Sequence, residues 1–136
     1  MKHTSTALFF LLRRLAAFLY DCLLLIAIFF IIATLAIALN DGQAVQHPLF
    51  YVALLMVAFL FFDWFWRHGG QTLGMRAWRI KVVAIHVENV TFEQSAIRFI
   101  AGIALFGFTY VGAFFSPSHQ TLHDKLSRTN IIRYNK

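Results

Sequence analysis

One apolar run, residues 15–39, constrains this chain more than any other feature. Between Leu15 and Leu39 the only charged residue is Asp21. A helix of this length rises roughly 37 Å, whereas the hydrocarbon core of a bilayer is about 30 Å thick. A carboxylate in such a helix costs about 2.5–3.5 kcal/mol at the centre of the membrane and less near an end. The run therefore predicts a membrane-spanning helix whose acid needs a partner.

The composition of the whole chain indicates an integral membrane protein. Of the 136 residues, 60% are hydrophobic and 13% are charged, whereas soluble domains are about 45–50% apolar and 25% charged. The basic residues behind the net charge of +6 flank apolar runs. This placement favours anionic lipid headgroups, and not nucleic acid, as their partner. The single cysteine, Cys22, excludes an intrachain disulfide.

The order of the segments predicts an all-α membrane protein with one domain, residues 1–136. The first span covers about 15–39, the second covers about 50–67, and an interfacial basic segment covers 68–97. A third apolar helix, about 98–115, is either a full span or broken and re-entrant, and a basic tail covers 116–136.

Charge around the first span predicts its orientation. Basic residues precede it, whereas the loop 40–49 that follows it has no Lys or Arg. By the positive-inside rule the N-terminus is therefore cytoplasmic.

Local patterns predict structure within the basic segment. Residues 71–78 are typical of a short interfacial helix, and residues 80–87 form a β-rich run that predicts a short strand. Thr91 and Gln94 have the spacing of a capping box, which predicts the start of the third helix.

The end of the second span has the aromatic and basic character of a membrane interface. Asp63 and Arg67 lie four residues apart, which predicts a local helical ion pair. Trp64, Trp66 and Trp78 are predicted interface anchors, because tryptophan is enriched at headgroup level.

The basic tail poses a conflict between charge and the number of crossings. Three full crossings would place it outside, whereas its excess of Lys and Arg predicts a cytoplasmic position. We expect the tail on the cytoplasmic side, with Leu122 and Leu126 packed against the helices. Asp124 would then lie within reach of Arg14 or Arg98.

Ionisable residues inside a membrane are functional candidates when a partner can be named. Arg14 lies two helical turns before Asp21 on the same face. The candidate intramembrane charge network comprises Arg14, Asp21, Arg98, Asp124 and Arg128. It is a permanent structural network, a proton or cation relay, or a site of ligand recognition.

Motifs for catalysis or nucleotide binding are missing from the sequence, so we expect no enzymatic activity and no cofactor. His119, His123 and Asp124 form the only candidate metal cluster in the sequence. Their loop-like surroundings favour ordinary surface histidines, so we expect no metal site.

Several segments in order resemble the RDD family of small membrane proteins. That family is named for an arginine at the start of its first helix and for two aspartates, which match Arg14, Asp21 and Asp124. Segments 70–83 and 120–129 are similar to the family's loop and closing motifs, and Arg98 falls where an arginine commonly opens the next helix. Met75 stands where lysine is usual.

The resemblance implies the fold and leaves three functional hypotheses, of which the third is an enzyme subunit that acts on lipid. Because sodium/proton antiport has been attributed to some relatives, the first is a transport-related protein that exchanges protons for monovalent cations through Asp21. It would act as a homo-oligomer in the bacterial inner membrane. The second is a non-catalytic membrane scaffold or accessory subunit whose Arg–Asp network is structural.

Overall fold

A computed structural model describes residues 2–86, 88–104 and 122–133 of the chain. Most of these residues are helical, and two helices are long and apolar enough to cross a membrane. The elements in chain order are α1 (Lys2–Leu39), α2 (Pro48–Arg67), α3 (Leu73–Ala77), β1 (Ile80–Ala84), α4 (Phe92–Ala104), α5 (Leu122–Leu126) and β2 (Thr129–Arg133). The rest of the predicted third helix, residues 105–115, lies outside the described residues.

The first helix begins well before the predicted span, at Lys2. No Pro or Gly interrupts the sequence before Gly42, so nothing breaks the helix where Arg13 and Arg14 precede the apolar run. The helix ends in a turn in which Asp41 has φ 51° and Gly42 has φ 79°. The second helix starts at Pro48, because proline fits a first helical turn, where its missing N–H costs nothing.

The predicted short strand is confirmed as β1, and it has a partner in the tail. Strands β1 and β2 pair antiparallel, with Val82 opposite Ile131. Ile80, Val82, Thr129 and Ile131 are buried, so one face of this ribbon belongs to the core. The all-α prediction missed the ribbon because its two strands are far apart in sequence, and only tertiary folding makes them neighbours.

The same local structure precedes both strands. In each case a five-residue helix ends in a turn whose last residue is an arginine with a left-handed backbone, Arg79 (φ 54°) before β1 and Arg128 (φ 52°) before β2. The backbone N–H of Arg79 donates to the carbonyl of Arg76 at 3.3 Å, and that of Arg128 donates to the carbonyl of Lys125 at 3.3 Å.

The two segments that share this local structure also share a short sequence. Gln-Thr-Leu occurs at 71–73 and again at 120–122, at the same distance before each left-handed arginine. Val82 and Ile131 are equivalent positions in the two copies and lie opposite each other in the register. The ribbon is therefore the centre of an internal repeat with an approximate two-fold axis.

The second copy of the repeat lies at the same end of the helices as the first. Helix α3 packs on α1, α2 packs on α4, and α4 packs on α5. The contact of Asp124 with both Arg14 and Arg98 places residue 124 at this end of the helices. Leu126 is 58% exposed, so its predicted packing is wrong, and the side chain of Leu122 lies outside the described part of the chain.

Candidate functional site

The centre of the site is Asp124, which is fully buried and binds two arginines. Its Oδ2 lies 2.5 Å from Nη2 of Arg14, and its Oδ1 accepts from Nη1 of Arg98. Both arginines are themselves buried. A buried carboxylate between two guanidinium groups is electrostatically satisfied, whereas removal of Asp124 leaves both guanidinium groups buried without it.

Arg98 joins three parts of the fold. Besides Asp124 it binds the hydroxyl of Thr129, to which Nη1 donates at 3.0 Å, and this hydroxyl lies 2.7 Å from that of Ser127. Its guanidinium carbon lies 5.2 Å from the ring centroid of Trp66, a cation–π distance. Arg98 thereby connects α4 to the tail and to the end of α2.

Asp21, the acid of the first span, binds the segment that follows α2. Its Oδ1 accepts from the backbone N–H of Gly74 at 2.9 Å, and its Oδ2 accepts from the hydroxyl of Thr72. That hydroxyl in turn accepts from the backbone N–H of Met75 at 3.2 Å, as the N-cap of α3. The two acids therefore serve different elements, because Asp21 holds α3 and Asp124 holds two arginines.

Glycines explain why this segment lies so close to α1. A Cβ at Gly74 would overlap the carbonyl oxygen of Ala17. A Cβ at Gly70 would overlap the carbonyl oxygen of Val82, and Gly70 also has φ 69°, which favours glycine. The backbone N–H of Val82 donates to the carbonyl of Gly70 at 2.7 Å. Glycine at 70 and 74 thus permits two close backbone contacts.

The predicted ion pair at the end of α2 is confirmed. Nε of Arg67 lies 2.9 Å from Oδ1 of Asp63, and Nη2 lies 2.7 Å from Oδ2. The guanidinium carbon also lies 5.5 Å from the ring centroid of Phe92, so the pair borders the start of α4. Asp63 is therefore held by its own helix, separately from the Asp124 cluster, which consists of Asp124, Arg14, Arg98, Ser127 and Thr129.

The capping box is confirmed at the start of α4. The backbone N–H of Thr91 donates to Oε1 of Gln94 at 3.0 Å, and the backbone N–H of Gln94 donates to the hydroxyl of Thr91 at 3.2 Å. These bonds satisfy two backbone donors at the helix start and fix where α4, and hence Arg98, begins.

Two predicted residues lie apart from the functions assigned to them. The side chain of Arg128 is exposed, and its carbonyl accepts from the backbone N–H of Ile85 at 3.1 Å. Trp66 is only 7% exposed and stacks on Phe62, with ring centroids 5.2 Å apart, so it is a core residue and not an outward-facing anchor. Trp64 and Trp78, at 60% and 42% exposure, are available to a membrane interface.

The candidate metal cluster is not assembled within the described part of the chain. His119 and the side chain of His123 lie outside it, and Asp124 is bound by arginines. The described residues contain no group of three metal-ligand side chains.

A cavity of about 440 Å³ lies between α1, α2 and α4. Arg14, Asp21, Arg98 and Trp66 line its polar end. The other walls are mostly apolar and include Leu25, Phe29, Leu54, Ala58, Phe62, Phe99 and Gly102. A volume of this size is typical of ligand sites, and its lining is chemically divided into a polar end and an apolar body.

Sequence reasoning missed Thr72, Gly74, Trp66 and Thr129 as members of the site. A signal was present in the repeated Gln-Thr-Leu of 71–73 and 120–122, which marks both segments as copies of one structural unit. Trp66 carried no comparable signal, because tryptophan near the end of an apolar helix is equally typical of an interface anchor.

The comparison with protein families supports the resemblance noted above. The model of the RDD family matches residues 9–128, which include the first copy of the repeat, the second copy as far as Arg128, and every residue of the Asp124 cluster except Thr129. No curated protein matches the chain significantly, and no solved structure does.

Proposed function

The chain belongs to the RDD family, and we propose that this membrane protein is a non-enzymatic scaffold or accessory subunit whose Arg–Asp network is structural. The observation that carries the proposal is Asp124, which binds Arg14 and Arg98 at once. These three residues come from parts of the chain that are distant in sequence, so their contact determines how the tail docks on the helices.

Charge balance supports a structural network over a cation site. The polar end of the cavity has two arginines, Arg14 and Arg98, and the two acids Asp21 and Asp124 lie with them. A monovalent cation would have to compete with buried guanidinium groups for Asp124, and Asp21 already accepts hydrogen bonds from the α3 segment. The network has no surplus negative charge to offer a transported cation.

The surface supports a role in binding partners or lipid. The segment after α2 and the tail carry exposed basic side chains at the same end of the helices, namely Arg76, Arg79, Lys125, Arg128 and Arg133. We assign this end to the cytoplasmic side of a bacterial inner membrane, where it would face anionic headgroups. Assembly into a homo-oligomer is part of the same proposal.

Reconstitution tests the scaffold proposal. Purified protein in proteoliposomes is expected to give no pH-driven uptake of sodium or potassium above that of protein-free vesicles. Asp21→Asn should lower the free energy of unfolding and leave this background unchanged. Flux in the wild-type protein that Asp21→Asn abolishes, while Asp63→Asn retains it, would contradict the proposal.

Exchange of protons for monovalent cations is the second candidate, and one observation favours it. Asp21 is an ionisable residue within a candidate membrane span, and it lines the cavity. The flux measurement decides between the two candidates, because only the transporter requires Asp21 to exchange partners during turnover.

A further inference from the structure

Two residues at the polar end of the cavity between α1, α2 and α4 carry buried hydrogen-bond donors that have no partner among the described residues. Nε of Arg98 and Nε1 of Trp66 are both buried, and among the described residues neither has an acceptor. Both residues line the cavity, and they contact each other through the cation–π interaction. Because buried donors are nearly always satisfied, these two groups point to a ligand that supplies acceptor oxygens.

The rest of the cavity is suited to a hydrocarbon chain. On α2 the lining runs from Trp66 back to Tyr51, which corresponds to roughly 22 Å along a helix. One leaflet of the hydrocarbon core is about 15 Å deep. On α1 the lining runs from the polar end to Phe29 and is apolar beyond Cys22. The cavity is therefore long enough for an acyl chain that extends through one leaflet.

We propose that this cavity binds one glycerophospholipid, with an acyl chain between α1 and α2 and ester or phosphate oxygens accepting from Arg98 Nε and Trp66 Nε1. Arg14, Arg98, Asp21 and Asp124 balance in charge, so recognition rests on the acceptor oxygens and not on the net charge of the headgroup. The polar end lies near the end of α2, where glycerol esters and phosphates of that leaflet are found.

Gly102 provides a direct test by filling the cavity. It lines the cavity on α4, and a Cβ built there meets nothing within 4 Å. Gly102→Leu should therefore fold and should displace the acyl chain. Ala104→Leu is the matched control, because Ala104 lies on the same helix, is exposed and is not among the cavity-lining residues.

Trp66→Phe tests the donor separately. Phenylalanine retains a ring to stack on Phe62 and removes the indole N–H. Lipid retention should fall about five-fold, which is the change in affinity expected from the loss of one hydrogen bond. Trp64→Phe is the control on the same helix, because Trp64 is exposed and lies outside the cavity lining.

The measurement is native mass spectrometry of protein released from vesicles of phosphatidylethanolamine and phosphatidylglycerol. Wild type, Ala104→Leu and Trp64→Phe should each retain one phospholipid, of either headgroup, whereas Gly102→Leu should lose it. Wild-type protein without bound phospholipid, selective retention of free fatty acid, or full retention by Gly102→Leu would each overturn the proposal. The result does not depend on ion flux, so it is separable from the test of the scaffold.

Discussion

Arg14 and Asp124 lie 2.5 Å apart, between Nη2 and Oδ2, although 110 positions separate them in the sequence. Arg98 completes the contact from a third part of the chain. Because all three side chains are buried, this contact links the first helix, α4 and the tail electrostatically.

Asp124→Asn should destabilise the protein strongly. The substitution leaves Arg14 and Arg98 buried without a carboxylate, and breaking a buried pair in this way costs about 3–5 kcal/mol. The measurement is the free energy of unfolding in mild detergent, with Asp41→Asn as the control, because Asp41 is exposed in the loop after α1. Equal stability of the two variants would show that the cluster is not structural.

A double-mutant cycle should detect coupling between Arg98 and Asp124. Replacement of both by Met and Leu should cost less than the sum of the two single replacements, because Asp124→Leu alone strands Arg98 as well as Arg14, whereas the double variant strands only Arg14. A coupling energy of about 1 kcal/mol or more is expected for groups in direct contact. Simple additivity would contradict a direct interaction.

Thr72→Val should weaken the attachment of α3 to the first helix. Valine has a similar shape but removes both the bond to Asp21 and the cap on Met75 N–H. The expected loss is about 1–2 kcal/mol of unfolding free energy. Thr34→Val is the matched control, since its hydroxyl only donates to the carbonyl of Phe30 within α1. A smaller effect at 72 than at 34 would refute the role given to Thr72.

Gly74→Ala should separate α3 from α1. The added methyl would overlap the carbonyl of Ala17, and overpacking of this kind costs about 1–3 kcal/mol. Gly102→Ala is the comparison, because its Cβ meets open space and alanine stabilises a helix by about 0.5–1 kcal/mol. The free energy of unfolding should therefore fall in Gly74→Ala and rise in Gly102→Ala. An unchanged free energy of unfolding in Gly74→Ala would count against the close contact.

Labelling from outside the cell tests the topology. In a Cys22→Ser background, a cysteine at Gln43 should react with an impermeant reagent, whereas cysteines at Arg76 and Lys125 should not. All three positions are exposed, so protection would come from the membrane. Reaction at Lys125 without reaction at Arg76 would place loop and tail on opposite sides, against the shared end of the helices seen here.

Local patterns were sufficient for much of the fold. The Leu15–Leu39 run, the capping box at Thr91 and the pair of Asp63 with Arg67 depend on residues close in sequence, where helical periodicity decides which side chains meet. The family resemblance also singled out Arg14, Asp21 and Asp124. Predicting these features does not require knowing which distant segments of the chain are in contact.

Tertiary structure alone decided the partners of those residues. Asp21 shares a helical face with Arg14, but its observed bonds run to Thr72 and Gly74, because a glycine lets α3 approach α1 closely. Trp66 is buried because Arg98 and Phe62 cover it, although its sequence position is typical of an interface anchor. A sequence determines helix periodicity through short-range sterics and hydrogen bonds. Which buried charge meets which donor is decided by long-range packing, in which glycine at 74 lets the backbone of α3 come within hydrogen-bond distance of Asp21.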